Sequence, residues 1–376
     1  MSPASRLAHL RARTATLVEQ LDELVSAESP SDDPAALAVC AAVIGGLLGG
    51  ATGTRPELVR SGAGAHLVLR GAGPTRVALV GHYDTVWPAG TLRRWPFRVH
   101  GDRASGPGVF DMKAGIVQLA AALATLDGLD GVAVVLTSDE ETGSPTSRTL
   151  VEQVAAGAAA ALVLEPAAPG GALKKARKGT GTYTVVVDGV ASHAGLEPEK
   201  GRNALVGMAA AVLELGGVGR PELGTTVTPT MATAGTATNV VPATARVEVD
   251  VRVWTAEEAE RVERSLRGLR PTVEGTSVRV EGGMNRPPLD ERLALPLVAR
   301  AEAAAARLGL GPLGAVAVGG GSDGNFTGAI GTPTLDGLGA VGDHAHGEGE
   351  WTFVPALAER AALLAELIEE LRLEPA

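Results

Sequence analysis

A single cysteine in 376 residues leaves no partner for an intramolecular disulfide. Cys40 lies in the apolar run "AALAVCAAVIGGLLG", the setting of a buried structural thiol rather than of a nucleophile. Positive charge is also short: 33 Lys and Arg against 43 Asp and Glu give a formal net charge of −10. That balance argues against nucleic acid or an anionic membrane surface as partner, although bound cations would offset part of it. Lysine is scarce beside arginine, which reads as genome composition rather than function. The N-terminal "MSPASRLAHLRARTATLVEQLDELV" holds no uninterrupted apolar segment of the kind a signal peptide needs. No run is read as reaching membrane-spanning length without interruption, so a cytoplasmic protein is expected. No internal repeat is present. The glycine-rich "VGGGSDGNFTG" lacks the lysine of a P-loop, so phosphate binding is not read into it. Its glycines are expected to let backbone approach a substrate pocket lined by Ser322 and Asp323.

What remains is ample material for a core: 45% hydrophobic residues and a mean hydropathy of +0.15, in a length that suits two or three domains. Residues 5–25 and 33–49 read as helices around the turn "SPSDDP". The runs at 77–82, 132–140 and 160–166 are aliphatic without polar alternation, as in strands buried on both faces of an α/β sheet. Helical spacing appears between them at 112–126 and, more weakly, at 147–158. From about 180 the style changes. Strict alternation in "ARVEVDVRVW" predicts a sheet with one wet face, and Thr255 with Glu258 makes a capping box. The order strand–helix–strand–strand–helix–strand matches a ferredoxin-like module. The expected fold is therefore α/β, a mostly parallel sheet flanked by helices. One catalytic domain would be built from 1–178 and 289–376, with an α+β lid or dimerisation domain inserted at 179–288.

Three aliphatic strands each end in metal-capable side chains: His82 and Asp84 in "GHYDT", Asp139, Glu140 and Glu141 in "TSDEETG", and Glu165 before Pro166. Ligands bind outside the carboxyl ends of strands in open α/β sheets, so these groups should converge. Asp111, in "GPGVFDMKAG", enters a helix from a glycine-rich loop at the same edge, and His344 and His346 follow another aliphatic stretch. Taken singly, each has an ordinary explanation: a helix cap, a solvated turn, a surface histidine. Taken together, several carboxylates at one sheet edge would repel or lie unsatisfied, and a divalent cation removes that cost. Mixed His and carboxylate ligation suits zinc, with cobalt or manganese as substitutes.

The blocks "GHYDTV", "GPGVFDMKAG", "TSDEETGS", "LVLEPA", "ASHAG", "GTATNVVPATARVEVDVR" and "GLGAVGDHAHGEGEW", in this order, resemble the zinc-dependent exopeptidase/aminoacylase family from about residue 76 onward. That family includes glutamate carboxypeptidases, succinyl-diaminopimelate desuccinylases, acetylornithine deacetylases and aminoacylases, and the likeness is strongest to the first. The resemblance implies a two-zinc amide hydrolase acting on N-acyl amino acids or small peptides. His82, Asp111, Glu141, Glu165 and His346 would be the ligands, with Asp111 bridging and His346 preferred over His344. Glu140 would be the general base, and Asp84 would orient His82. The peptide after Asp111 would be cis. Met112 stands where many relatives have a second acid, and Asp139 takes a supporting or surface position. In the inserted domain, His193 would contact the oxyanion from the partner subunit of a homodimer. Asn239 would help hold substrate there, and Arg286 is the candidate clamp for a substrate carboxylate.

Overall fold

The computed structural model describes residues 1–62 and 64–373, which divide into two compact units. The first comprises Met1–Ala176, Leu289–Val318 and Ser322–Ala376. Its centre is a six-stranded sheet in the spatial order Glu57–Arg60, Ala65–Arg70, Val132–Thr137, Val77–His82, Ala160–Val163, Thr334–Leu335. The last four run parallel to one another, and Ala65–Arg70 is antiparallel to both of its neighbours. Every residue of 77–82, 132–137 and 160–163 is buried, which is why these runs lack polar alternation. His82 pairs with Thr137 in the parallel register, so the carboxyl ends of two central strands coincide. A second four-stranded sheet joins Gly342–Asp343 and Trp351–Phe353 to Arg103–Ser105 and Arg98–His100.

Several boundaries move for identifiable reasons. The helix expected at 5–25 is two, Pro3–Ala12 and Thr14–Ser26. Thr14 Oγ1 donates to the Arg11 carbonyl at 2.8 Å, and Arg13 turns to φ −103°, ψ 12°. The strand expected at 132–140 stops at Thr137 because the Ser138 amide donates to His66 Nδ1 instead of continuing the ladder. Helix Pro34–Thr52, capped by Asp33 on the amides of Ala35 and Ala36, corrects the reading of membrane-length runs. With 19 residues and a window hydropathy of 2.0, it is long and apolar enough to cross a membrane, by length and composition. One of its faces, with Leu37, Cys40, Ile44 and Leu48, belongs to the core cluster of this unit. The C-terminal helix Val354–Leu373 also lies in that core, and buried Arg6 of the first helix pairs with its Glu366 and Glu369.

The second unit comprises Arg177–Pro288 and Gly319–Gly321. Strands Gly179–Asp188, Thr226–Ala234, Thr244–Val253 and Ser277–Arg286 alternate with helices Ala204–Leu215 and Ala256–Arg267 in ferredoxin-like sequence. The sheet is antiparallel, with 226–234 and 277–286 at its edges. Val247, Val249, Val251 and Val253 face its core, as their alternation requires. Of the expected capping box, one half forms: Thr255 Oγ1 accepts from Glu258 N at 3.2 Å. The Glu258 carboxylate instead takes Thr225 and Arg261, whose hydrogen bonds pull its pKa down to about 2.

Candidate metal centre

Side chains from five separate segments meet at the carboxyl edge of the first unit's sheet. His82 ends its strand with Nε2 at 3.2 Å from Asp111 Oδ1 and 3.4 Å from Glu165 Oε1. The other oxygen of the same aspartate, Oδ2, lies 3.4 Å from His346 Nε2, which is 3.2 Å from Glu141 Oε2. Two donor groups result, His82–Asp111–Glu165 and Asp111–Glu141–His346, each with ligand atoms within 4.8 Å of one another. Asp111 belongs to both through different oxygens, the arrangement of a bridging carboxylate. His344 is in neither group, and both it and His346 adopt left-handed backbone, φ 67° and 61°.

Local sequence explains the placement. Asp111 sits in an irregular turn between Gly108, φ 71°, and the helix starting at Ala114, and its peptide to Met112 is cis. Gly81 leaves room opposite this turn: a Cβ there would lie 2.6 Å from Met112 Cε and push that side chain aside. The Met112 sulfur in turn accepts the His82 amide at 3.2 Å. Buried Glu350 fixes the turn from the other side. Its carboxylate accepts the amides of Gly108, Phe110 and Asp111 at 3.1, 2.7 and 2.9 Å, and the Trp87 indole at 3.0 Å. Burial pushes the Glu350 pKa up to about 7 against those donors.

Asp84 has a wider role than orienting His82. The nearest acceptor for His82 Nδ1 is the Asp84 carbonyl at 3.0 Å, with the carboxylate at 3.4 Å. That carboxylate accepts the backbone amides of Glu140 at 3.2 Å and Glu141 at 3.1 Å, and the Ser31 hydroxyl at 2.7 Å. It thus holds the tip of the acidic loop against the His82 strand. Ser31, outside the stretch that carries the family resemblance, had no signal beyond a turn. Asp139 is supporting rather than superficial: fully buried, it accepts Thr146 N and Oγ1 and Ser147 Oγ. Ser322 and Asp323 likewise are buried. Ser322 donates to Asp336, while Asp323 accepts from Thr137 and Ser144. Through Thr137, Asp323 ties this segment to the end of strand Val132–Thr137.

The electrostatics suit dications. Burial opposes charge on His82, but hydrogen bonds to the carboxylates of Asp111, Asp84 and Glu165 outweigh it and hold the imidazole well above its usual pKa. Asp111 and Glu141 hold His346 up at about 11. Burial pushes the Glu141 carboxyl up, and its Oε1 has no hydrogen-bond partner among the described residues. A buried carboxylate oxygen without a donor is costly, and ligation of a cation satisfies it. Three carboxylates and two imidazoles therefore fit a pair of divalent metals. Glu140 stands in neither donor group, yet its charge acts on His82.

The remaining candidates lie in the second unit. His193 is exposed, and its Nδ1 accepts the amides of Gly195 and Leu196, both at 3.1 Å. The ring proton is thereby fixed on Nε2, which is a donor. Asn239 is its neighbour through the Ala194 N to Asn239 O bond of 2.9 Å. Arg286 is buried, 6% exposed, and donates to Asn285 Oδ1 at 3.1 Å.

Comparison with known proteins gives this geometry a context. A profile of peptidase family M20/M25/M40 matches residues 78–370. Carboxypeptidase G2 of Pseudomonas sp. (strain RS-16) is 30% identical over 94% of this chain and 89% of its own length. A succinyl-diaminopimelate desuccinylase of Dinoroseobacter shibae is 30% identical over 51% of this chain and 56% of its own. The fold is shared with an aminopeptidase from Bacillus cereus, at a TM-score of 0.75 and 23% identity over 95% of this chain and 98% of that one. The chain belongs to peptidase family M20/M25/M40, and it is a metal-dependent hydrolase.

Proposed function

We propose that this protein is a dizinc amidohydrolase of carboxypeptidase type, acting on N-acyl amino acids or short peptides in the manner of a glutamate carboxypeptidase. The observation that carries it is the division of Asp111 between two His–carboxylate pairs. His82, Asp111 and Glu165 would hold one ion, and Asp111, Glu141 and His346 the other; cobalt or manganese could replace zinc. Bound there, the metals supply Lewis acidity toward the attacking water and the scissile carbonyl. Glu140, held at the site edge by Asp84 but outside both donor groups, takes the proton of that water and delivers it to the leaving amine. Arg286 is the candidate clamp for a substrate carboxylate.

Carboxypeptidase G2 is similar along almost the whole chain, which favours peptidase over deacylase action. Deacylation of the desuccinylase or deacetylase type is the second reading, favoured by the partial likeness to the desuccinylases. An intact Glu140 beside Glu141 disfavours a non-catalytic binding protein. A release assay over a panel of dipeptides and N-acyl amino acids decides between the first two. Activity should vanish with chelator and return with zinc, cobalt or manganese. Release of acyl groups but never of a C-terminal residue would overturn the carboxypeptidase reading.

The same reading extends to a cytoplasmic homodimer in which His193 and Asn239 serve the active site of the partner subunit. His193 offers an exposed Nε2 donor of the kind an oxyanion takes up. Leu196, Leu205, Val206, Leu213 and Met231 leave exposed apolar surface on this unit for a second copy. Mixing inactive His193→Ala with inactive Glu140→Gln protein should restore activity through hybrid dimers. An active enzyme that gel filtration shows to be strictly monomeric would rule this out.

A further inference from the structure

Beneath the acidic loop lies a histidine that no motif singled out. His66, on strand Ala65–Arg70, is 1% exposed and touches no candidate ligand. Its Nδ1 accepts the Ser138 amide at 3.2 Å, with the Ser138 hydroxyl at the same distance. A backbone N–H can only donate, so Nδ1 is bare and the ring proton sits on Nε2. Nε2 lies 3.1 Å from Thr146 Oγ1, which donates onward to Asp139 at 2.6 Å. Asp139 closes the circuit: its carboxylate takes Thr146 and Ser147, and its carbonyl takes the amides of Thr142 and Ser144. One neutral imidazole therefore grips residues 138 and 146, on either side of Glu140 and Glu141.

We propose that His66 is a positioning residue for the general base: a neutral imidazole latch that holds the loop bearing Glu140 and Glu141 at both ends. This rests on the proposed hydrolase reading. The latch is directional. A proton on Nδ1 would face the Ser138 N–H and break that bond, so the grip exists only in the uncharged form. Burial is the largest influence and lowers the His66 pKa, against the raising effect of Asp139, Asp323 and Asp84. The other titratable neighbour, Tyr83, donates its hydroxyl to the Ala65 carbonyl and is kept neutral by burial. For a base whose folded pKa is depressed, the contribution is full above the unfolded value of 6.5 and is lost as pH falls below it. Turnover should accordingly carry an extra proton in its acid limb.

Three variants test the latch. His66→Leu removes both bonds, His66→Asn keeps an acceptor near Nδ1, and Thr146→Val cuts the relay without touching His66. In metal-free protein, His66→Leu and Thr146→Val should speed hydrogen exchange at the loop amides, Ser138 first for the former. In the loaded enzyme they should lower kcat by about 100-fold, the scale of an ångström of misplacement. KM should stay as in the wild type, and the kcat loss should persist when both sites are saturated with metal. His66→Asn should recover much of kcat and show a shallower acid limb than wild type. Unchanged exchange, unchanged kcat, or a kcat loss that only tracks lost metal would each overturn the proposal. If His66→Leu does not fold, Thr146→Val and His66→Asn test the latch by the same measurements. A wild-type protein without chelator-sensitive hydrolysis would sink the proposed function, whereas the exchange measurement judges the latch on its own.

Discussion

Glu140→Gln is expected to lower kcat by about 10³-fold, within the range that general acid–base catalysis supplies. Metal content and the loop's structure should stay as they are. Glu140 is held to Asp84 through its own backbone amide, a bond the substitution leaves intact. It contributes to neither donor group, so amidation removes a base without removing a ligand. Glutamine preserves length and polarity but cannot accept a proton at neutral pH. Metal analysis beside steady-state kinetics checks it: full activity in the variant would refute the mechanism, and lost metal would make Glu140 a ligand. The neighbouring Glu141→Gln should behave in the opposite sense, because Glu141 Oε2 lies 3.2 Å from His346 Nε2 in the second group.

Asp111→Asn should cost both metals at once. Each carboxylate oxygen of Asp111 faces a different imidazole, at 3.2 and 3.4 Å, and an asparagine can offer only one anion-free oxygen. Outer-sphere changes already cost 10–100-fold in metal affinity, so loss of the shared ligand should weaken both sites by at least about 100-fold. Glu165→Gln, which touches one group, should leave the second ion in place. Calorimetric titration of the metal-free variants with zinc distinguishes these outcomes. One tight site remaining in Asp111→Asn would show that the carboxylate does not bridge. The fold should survive the change, since the turn is pinned through backbone amides on Glu350 rather than through the Asp111 side chain.

His82, Glu141, Glu165 and His346 were legible because each closes or follows an aliphatic run, and Asp111 because its glycine-rich loop enters a helix at the same sheet edge. Glu350, Ser31 and His66 were not legible, because each acts on backbone atoms or side chains distant in sequence. Glu350 reaches amides about 240 positions away, and nothing in "GEGEW" announces that. Asp84 was half legible: its place beside His82 follows from spacing, whereas its hold on Glu140 and Glu141 depends on two strands lying side by side. For Ser322 and Asp323 the glycine-rich sequence carried no sign of the buried partners that their polar groups find, Asp336 and Thr137.

Sequence alone determined the α/β class, the ferredoxin-like order of the second unit, and which residue types stand at the strand ends. Those properties are local: they follow from the two- and 3.6-residue periods of side-chain burial and from short turns. Tertiary structure alone decided which oxygen of Asp111 faces which histidine, and which buried groups hold the acidic loop. Such contacts depend on angles and distances between segments far apart in the chain, and hydrogen bonds to backbone leave no mark on side-chain pattern.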